Sequence, residues 1–316
     1  MSTLLLKMMP YGTKIDFLGV RKIAFVITAI IILGSIASLA TRGLSFGIDF
    51  KGGILMEIKT PEPVDLAAMR STLNGLGLGE VTLQGLADRN DEVRIRIERQ
   101  DGGEEGQAEA QAKVREALGP GVQYPKVESV GPTVGAELVN KGILAISLAM
   151  LGIAAYIWFR FEWQYGVGAL VSTFHDIIAT FGLFSVTGME FNLTSVAAIL
   201  TITGYSINDT VVEYDRMREN LRKYKKRSIP DLINLSINET LVRTILTGGT
   251  LLVAVLALYL FGGEVLRGFS LAMIWGVLVG TYSSVFVAMP MLVYFDLRAT
   301  TSAKEEHKPE ETPKAE

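Results

Sequence analysis

Six long apolar runs divide this 316-residue chain, and charged or turn residues end each of them. A helix needs roughly 20 apolar residues to cross a hydrocarbon layer about 30 Å thick. The runs are Ile23 to Ala40, Ile143 to Phe159, Gly166 to Thr187, Phe191 to Val212, Thr244 to Phe261 and Phe269 to Phe295. The pattern predicts a polytopic α-helical membrane protein with six transmembrane helices and both termini on one side.

Basic residues mark one side of the predicted bundle, before run 1, after run 2 and between runs 4 and 5. They are Lys7, Lys14, Arg21, Lys22, Arg160, Arg216, Arg218, Arg222, Lys223, Lys225, Lys226 and Arg227. Because cytoplasmic loops carry an excess of Lys and Arg, this side and both termini are predicted to be cytoplasmic. The predicted organisation is a cytoplasmic N-terminus (1–22), transmembrane helix 1 (23–40), an outer domain (41–142), transmembrane helices 2–6 (143–297) and a disordered cytoplasmic tail (298–316).

The segment between runs 1 and 2 alternates apolar and polar positions, which is typical of a folded α+β domain. Its predicted elements are a strand at Ile54 to Lys59, a helix at Pro63 to Leu76, strands at Val81 to Leu86 and Val93 to Arg99, a helix at Glu104 to Leu118, and a strand at Lys126 to Val130. The order βαββαβ predicts a ferredoxin-like domain. Because the second helix is rich in Ala, Glu and Gln, a solvated mobile arm is the alternative there.

Composition supports the membrane assignment and narrows the chemistry. The chain is 49% hydrophobic and 20% charged, and its mean hydropathy is +0.34. It has no Cys and only two His, His175 and His307, which excludes disulfides and thiolate sites and disfavours a His-rich metal centre. With no catalytic nucleophile, metal cluster or phosphate-binding loop apparent, we expect no enzyme activity, no cofactor and no bound metal, and no nucleic-acid partner.

Two glycine-rich joints connect the outer domain to the membrane runs. The first contains Gly47, Asp49, Gly52 and Gly53, and the second contains Gly131, Pro132 and Gly135. Glycine admits backbone conformations that other residues resist, so each joint is either a hinge or a tight turn at a domain boundary. Both interpretations stay open.

Ionisable residues at membrane depth are functional candidates, because a charge there costs about 2.5 to 3.5 kcal/mol. Asp209 follows Phe191 by the same spacing along the chain as that by which Arg243 precedes Phe261. In antiparallel neighbouring helices this equal spacing places both at one depth, roughly 27 Å from the outer surface. The pair is either a proton-coupled switch or a structural ion pair with Arg243 reaching the inner surface.

Further polar residues accompany this pair. His175 and Asp176 in run 3 form either a buried polar pair between helices or a proton relay, and Tyr205 and Asn208 are further relay candidates. Tyr205, Asp209 and Glu213 share one helical face. Glu213 is expected to be a solvated residue past the membrane edge.

Six motifs in order resemble one known family. They are Gly47-x-Asp49-Phe50-x-Gly52-Gly53, Val130-Gly131-Pro132-Thr133-Val134-Gly135, Phe159-Arg160-Phe161-Glu162-Trp163, Gly204-Tyr205-Ser206-Ile207-Asn208-Asp209-Thr210-Val211-Val212, Tyr214-Asp215-Arg216-Met217-Arg218-Glu219-Asn220, and Arg243-Thr244 with Leu260-Phe261-Gly262-Gly263. Together with the topology they resemble the SecF branch of the SecD/SecF family, within the resistance-nodulation-division (RND) superfamily. Glu213 departs from the family pattern, which usually has an apolar residue there.

The resemblance implies a protein-export subunit of the bacterial inner membrane. It implies a SecD partner, contact with the SecYEG channel and YajC, an unfolded preprotein substrate and surrounding lipid. The proton motive force would drive or complete translocation and release on the periplasmic side, and Asp209 and Arg243 match the family's proton-coupling residues. The alternatives are a half-size RND exporter of small molecules and a translocon scaffold that does not couple protons.

Overall fold

The computed structural model describes residues 12–86 and 91–298, which form two compact units. The helical unit comprises the described parts of Met1–Leu44, Ile146–Met189 and Thr194–Glu316, and the α+β unit comprises Ser45–Ala145 and Glu190–Leu193. The bounds predicted for the outer domain, 41–142, therefore differ by a few residues from those of the α+β unit. The prediction also did not include the short segment 190–193. The predicted tail beyond Arg298 lies outside the described residues.

Long helices dominate the helical unit. They are α1 (Arg21–Arg42), α5 (Pro132–Arg160), α6 (Trp163–Thr187), α7 (Leu193–Lys223), α8 (Ile229–Phe261) and α9 (Gly263–Ser283), followed by a π-helical segment (Ser284–Ala288), α10 (Met289–Met291) and a 3₁₀ turn (Leu292–Tyr294). Several are longer than their apolar runs: α7 continues past Val212 to Lys223, and α8 begins at Ile229, well before Thr244. Hydropathy locates the part of a helix that suits lipid, and the helix itself can extend beyond that part. For α8 the start is set by Ser228, whose side chain caps the helix.

Five helices in the described parts of the chain are long and apolar enough to cross a membrane by length and composition. They are Arg21–Arg42, Val134–Arg160, Trp163–Thr187, Ile229–Phe261 and Leu266–Tyr294. The fourth predicted run corresponds to α7, which is absent from this set. Its C-terminal half carries many charges, and its apolar half carries Asn208 and Asp209, so its mean hydropathy is low.

The helices fall into an inner and an outer group. The apolar windows of α6 and of Leu266–Tyr294 are 61% buried, whereas those of α1, α5 and α8 are only 11 to 17% buried. Glycines allow close approach in the interior: a Cβ on Gly276 of α9 would overlap the side chain of Ile202 of α7.

A short segment before α1 packs on the N-terminal half of α8, which the sequence pattern did not indicate. Phe17 and Leu18 are buried, and the Leu18 amide donates to Asn234 Oδ1 at 3.0 Å. The Asn234 amide donates in turn to Asp16 Oδ1 at 2.7 Å, and this hydrogen bond lowers the pKa of Asp16. The start of the described chain is therefore fixed to the bundle.

The α+β unit contains the predicted βαββαβ order. Its elements are β1 (Ser45–Phe46), α2 (Ile48–Lys51), β2 (Gly53–Lys59), α3 (Leu66–Asn74), β3 (Val81–Gly85), β4 (Glu92–Ile97), α4 (Gly103–Leu118), β5 (Gln123–Val130) and, after α6, β6 (Glu190–Phe191). The four longer strands form a sheet in the order β3-β4-β2-β5, and every neighbouring pair is antiparallel.

One face of this sheet carries the core. Ile54, Met56 and Ile58 alternate with residues of the other face and pack with Val93, Ile95 and Ile97 of β4. Ala110 and Val114 of α4 are buried in the same cluster. The mobile-arm alternative for α4 is therefore wrong, because the small and β-branched residues of one helical face are buried against the sheet.

Candidate functional site

Asp209 is a buried carboxylate on α7, and only 1% of its surface is exposed. The Thr244 hydroxyl of α8 donates to Asp209 Oδ1 at 3.2 Å. Its other oxygen, Oδ2, is buried without a hydrogen-bond partner among the described residues. A buried anion with one weak donor is poorly stabilised, so a proton taken up at Oδ2 would relieve a real cost.

Arg243 precedes Thr244 and lies at the predicted level of Asp209. It acts electrostatically on the Asp209 carboxylate, but its side chain is exposed at the surface of the helical unit. No ion pair joins the two among the described residues, and the expected direct pair is therefore not formed in this structure. The one-residue offset explains this, because consecutive positions on a helix point about 100° apart.

Glu213 lies one helical turn beyond Asp209 and is completely buried. Both of its carboxyl oxygens lack a hydrogen-bond partner among the described residues. The expectation of a solvated residue past the membrane edge is therefore wrong. Because α7 continues beyond its apolar run and packs against α8 there, residues of this face stay enclosed.

His175 and Asp176 form the buried polar pair that one interpretation predicted. His175 Nδ1 lies 3.0 Å from Asp176 Oδ1, and both residues are at most 1% exposed. Asp176 Oδ2 accepts hydrogen bonds from Ser206 of α7 at 2.5 Å and from Ser283 of α9 at 2.9 Å. Asp176 therefore connects three helices, and its partners are far more numerous than those of Asp209.

The two remaining relay candidates occupy different surroundings. Tyr205 is half-buried, and its hydroxyl lies 3.0 Å from Thr281 Oγ1 of α9. Asn208 is exposed on the outer side of α7, so the structure does not bring it into the buried group. A helix that buries Asp209 turns the preceding residue away.

A hydroxyl network borders these carboxylates where α9 becomes the π-helical segment. Thr210 Oγ1 lies 2.8 Å from Ser284 Oγ, which also donates to the Gly280 carbonyl at 3.1 Å. Ser206 follows Tyr205 on α7 and donates to Asp176, so the network lies next to both buried acids. Short π-helical segments often occur at functional sites.

The first glycine joint is held within the α+β unit by backbone contacts. The Gly47 amide donates to the Phe191 carbonyl at 2.9 Å, and Asp49 Oδ2 accepts from the Leu193 amide at 2.8 Å. Strands β1 and β6 pair in parallel at the same place, and the rings of Phe50 and Phe191 stack at 5.8 Å. Asp49 therefore caps the start of α7.

The second joint packs directly on the first. A Cβ on Gly135 would lie 3.2 Å from the Phe50 carbonyl oxygen, which is tighter than most Cβ contacts, so the close approach favours glycine. Gly53 has φ +120°, and a Cβ there would lie 2.5 Å from the Ile97 carbonyl oxygen. The Gly131 carbonyl accepts from the Gly135 amide at 3.1 Å, where Pro132 begins α5. The two joints therefore form one compact junction.

Several site residues were missed from sequence. Thr244, Ser206 and Ser283 are common residues in helices, and only their positions opposite Asp209 or Asp176 distinguish them. The usable signal was helical spacing, since Ser206 and Asp209 lie three residues apart on one face.

Comparison with known proteins gives a consistent result. The family profile described as "Protein export membrane protein SecD/SecF, C-terminal" matches residues 110–298, and the "SecD/SecF GG Motif" matches residues 37–63. The protein translocase subunit SecF of Cereibacter sphaeroides is 44% identical over 297 residues, which is 92% of this chain and 92% of that protein. Its counterpart in Rickettsia akari is 43% identical over 291 residues, or 92% of this chain and 94% of that protein.

Solved structures agree with the sequence relatives. The crystal structure of SecDF from Thermus thermophilus, described as a translocon-associated membrane protein, matches with a TM-score of 0.81 and 31% identity. The match covers 90% of this chain and 39% of that one, so this chain spans less than half of the SecDF protein. A structure of SecDF in a super-membrane-facing form matches with a TM-score of 0.67, also at 31% identity, over 93% of this chain and 40% of that one.

Proposed function

The chain belongs to the SecD/SecF family of protein-export membrane proteins, and from this premise we propose that it couples proton movement to Sec-dependent export through Asp209. Its role as a SecF-type subunit of protein export follows from relatives that match it over nearly their whole length. The single observation that supports the coupling proposal is a buried carboxylate with one free oxygen in a helix of the bundle.

We assign α7 as a further membrane span, the fourth along the chain, which brings the total to six. We assign the α+β unit as a ferredoxin-like domain on the periplasmic side. Helix α7 has 31 residues and is about 46 Å long, which suffices to cross the hydrocarbon layer and continue into the cytoplasm. The sheet order β3-β4-β2-β5 supports the domain assignment, as do the helices α3 and α4, which follow strands β2 and β4. The protein then lies in the bacterial inner membrane with both termini cytoplasmic.

The partner is a SecD subunit. This chain matches 39% of a SecDF protein, which supports a complex in which SecD provides the remainder. The exposed apolar faces of α1, α5 and α8 would lie against that partner or lipid. Contact with SecYEG and YajC, and with an unfolded preprotein on the periplasmic side, completes the proposed assembly.

Coupling requires that Asp209 be charged in one state and neutral in another. With a proton on Oδ2, the residue is neutral and needs only the Thr244 contact that it already has. When the proton leaves, approach of Arg243 would stabilise the carboxylate, and the two arrangements of α7 and α8 would differ in energy. Each proton that crosses the membrane supplies about 2.3 kcal/mol per 100 mV, so no other cofactor is required.

Measurement of protein export with the Asp209→Asn variant tests this function. Asparagine keeps the shape and cannot titrate, so the variant should assemble normally with its partner while proton-driven export is lost. Glu219→Gln removes an exposed charge from the same helix and should export normally. Full export by Asp209→Asn would instead support a scaffold that does not couple protons.

A further inference from the structure

Glu213 is a second ionisable group inside the helical unit for which the coupling scheme has no role. Its side chain is 0% exposed, and neither carboxyl oxygen contacts a donor among the described residues. An ionised carboxylate in such surroundings would be very costly. A neutral, protonated side chain avoids this cost.

The surroundings of Glu213 follow from the contacts on either side of it. Toward the middle of α7, Asp209 contacts Thr244 of α8, and toward the cytoplasmic end, Arg216 pairs with Glu239 at 2.7 Å. Glu213 therefore faces the part of α8 around Thr240. The Thr240 hydroxyl donates to backbone carbonyls of its own helix, including the Ser236 carbonyl at 3.0 Å, and does not donate to Glu213.

Of the charged and titratable groups around Glu213, all but one are paired, exposed or directed elsewhere. On α8, Glu239 is engaged by Arg216 and Asn220, and Arg243 is exposed. On α6, Tyr165 packs on the ring of Tyr214, which directs its own hydroxyl to the Ala288 carbonyl of the π-helical segment. Asp209, one turn away on α7, is the remaining acidic group beside Glu213.

Asp209 and Glu213 are spaced for transfer of a proton. Residues four apart on a helix have Cβ atoms about 5–6 Å apart on one face, within reach of two carboxyl groups directly or through one water. Asp209 Oδ2 and both Glu213 oxygens are the buried acidic oxygens that lack partners on this face, among the residues that the structure describes. The free oxygens therefore belong to residues on adjacent turns of one helix.

We propose that Glu213 is the proton carrier between Asp209 and the cytoplasm, an inference that rests on the proposed coupling role of Asp209. In the arrangement of α7 and α8 that admits cytoplasmic water to this face, Glu213 first releases its proton to that water. The O–H bond of protonated Asp209 then breaks while an O–H bond forms on the Glu213 carboxylate. One proton moves per step and no further reactant is needed. The proton therefore moves from Asp209 through Glu213 to the cytoplasm along one face of α7.

Proton uptake by vesicles that contain the purified complex with its SecD partner tests the path. We compare the unchanged protein with Glu213→Gln, Glu213→Asp, Asp209→Asn and the exposed control Glu219→Gln, at equal protein levels. Glu213→Gln should slow proton movement by about tenfold or more, since proton transfer through a positioned group contributes at least that much. Glu213→Asp should restore most of the rate with an altered pH profile, because it keeps the acid on a shorter side chain.

Infrared spectroscopy of the same complex provides a measurement that does not depend on transport. The carbonyl stretch of a protonated carboxylic acid should be present in the unchanged protein and reduced in Glu213→Gln. Equal flux for Glu213→Gln and the unchanged protein, with Asp209→Asn inactive, would overturn the carrier role and leave the proposed function intact. Normal flux in Asp209→Asn would instead contradict the proposed function. If Glu213→Gln does not assemble, an unshifted acid band in Glu213→Asp overturns the assignment.

Discussion

The Thr244 hydroxyl donates to Asp209 Oδ1 at 3.2 Å and links α7 to α8 at the level where Arg243 is exposed. The hydroxyl and the arginine are on consecutive residues about 100° apart, so a rotation of α8 together with reorientation of the long arginine side chain would exchange one for the other beside the carboxylate. A neutral Asp209 suits the hydroxyl, and an ionised Asp209 suits the guanidinium. This exchange is the switch that the proposed coupling requires.

Thr244→Val should slow proton-driven export. Valine has nearly the same shape but no donor, and a hydrogen bond between uncharged groups contributes about 0.5 to 1.5 kcal/mol, which corresponds to about 2- to 12-fold. Thr244→Ser keeps the hydroxyl and should export at close to the rate of the unchanged protein. Export rates in membrane vesicles measure both. Equal rates for Val and Ser would show that the hydroxyl has no part in coupling.

Asp176 should be mainly structural. It accepts from Ser206 and Ser283 and lies beside His175, so Asp176→Ala removes the partner of buried Ser206 and of His175 Nδ1, whereas Ser283 keeps the Gly280 carbonyl. We expect a loss of about 3 kcal/mol or more in stability. Asp209→Asn should cost less than half of that, because Asp209 has one direct partner. Thermal unfolding of the detergent-solubilised complex compares them, and equal destabilisation would contradict this division of roles.

Gly53→Ala should disrupt the junction of the α+β unit. The residue has φ +120°, and its new Cβ would lie 2.5 Å from the Ile97 carbonyl oxygen, where β2 begins beside the end of β4. Strain of this kind costs about 1–3 kcal/mol. Gly131→Ala is the matched control, because nothing lies within 4 Å of its Cβ position. Amide hydrogen exchange of β2 and β4 in the full chain should accelerate only in Gly53→Ala. Unchanged exchange there would show that the sheet adapts.

The sequence was informative where the pattern depends on neighbours along the chain. Alternation predicted β2 and β4 within one or two residues, and the Ala/Glu/Gln-rich stretch predicted α4. It was less informative where the outcome depends on packing between distant segments. Hydropathy could not show that α7 continues enclosed past Val212, and Glu213 was therefore assigned to water.

The same limit applies to the candidate site. Spacing from the outer boundaries placed Asp209 level with the start of run 5, and the contact with Thr244 agrees with that level. Spacing could not tell which of two consecutive residues faces the carboxylate, since this depends on the rotation of α8 about its axis. The pairing of Asp176 with two serines depends on tertiary contacts alone.

Proton flux through Asp209→Asn in reconstituted vesicles is the most direct test of the account. The complex with its SecD partner is incorporated at matched protein levels, a pH gradient and membrane potential are imposed, and proton entry is followed with a pH-sensitive dye. The account predicts that Asp209→Asn lowers the flux to that of protein-free vesicles, while Glu219→Gln retains the unchanged rate. Unchanged flux in Asp209→Asn would contradict the account and would move the coupling group to Asp176 or to the partner subunit.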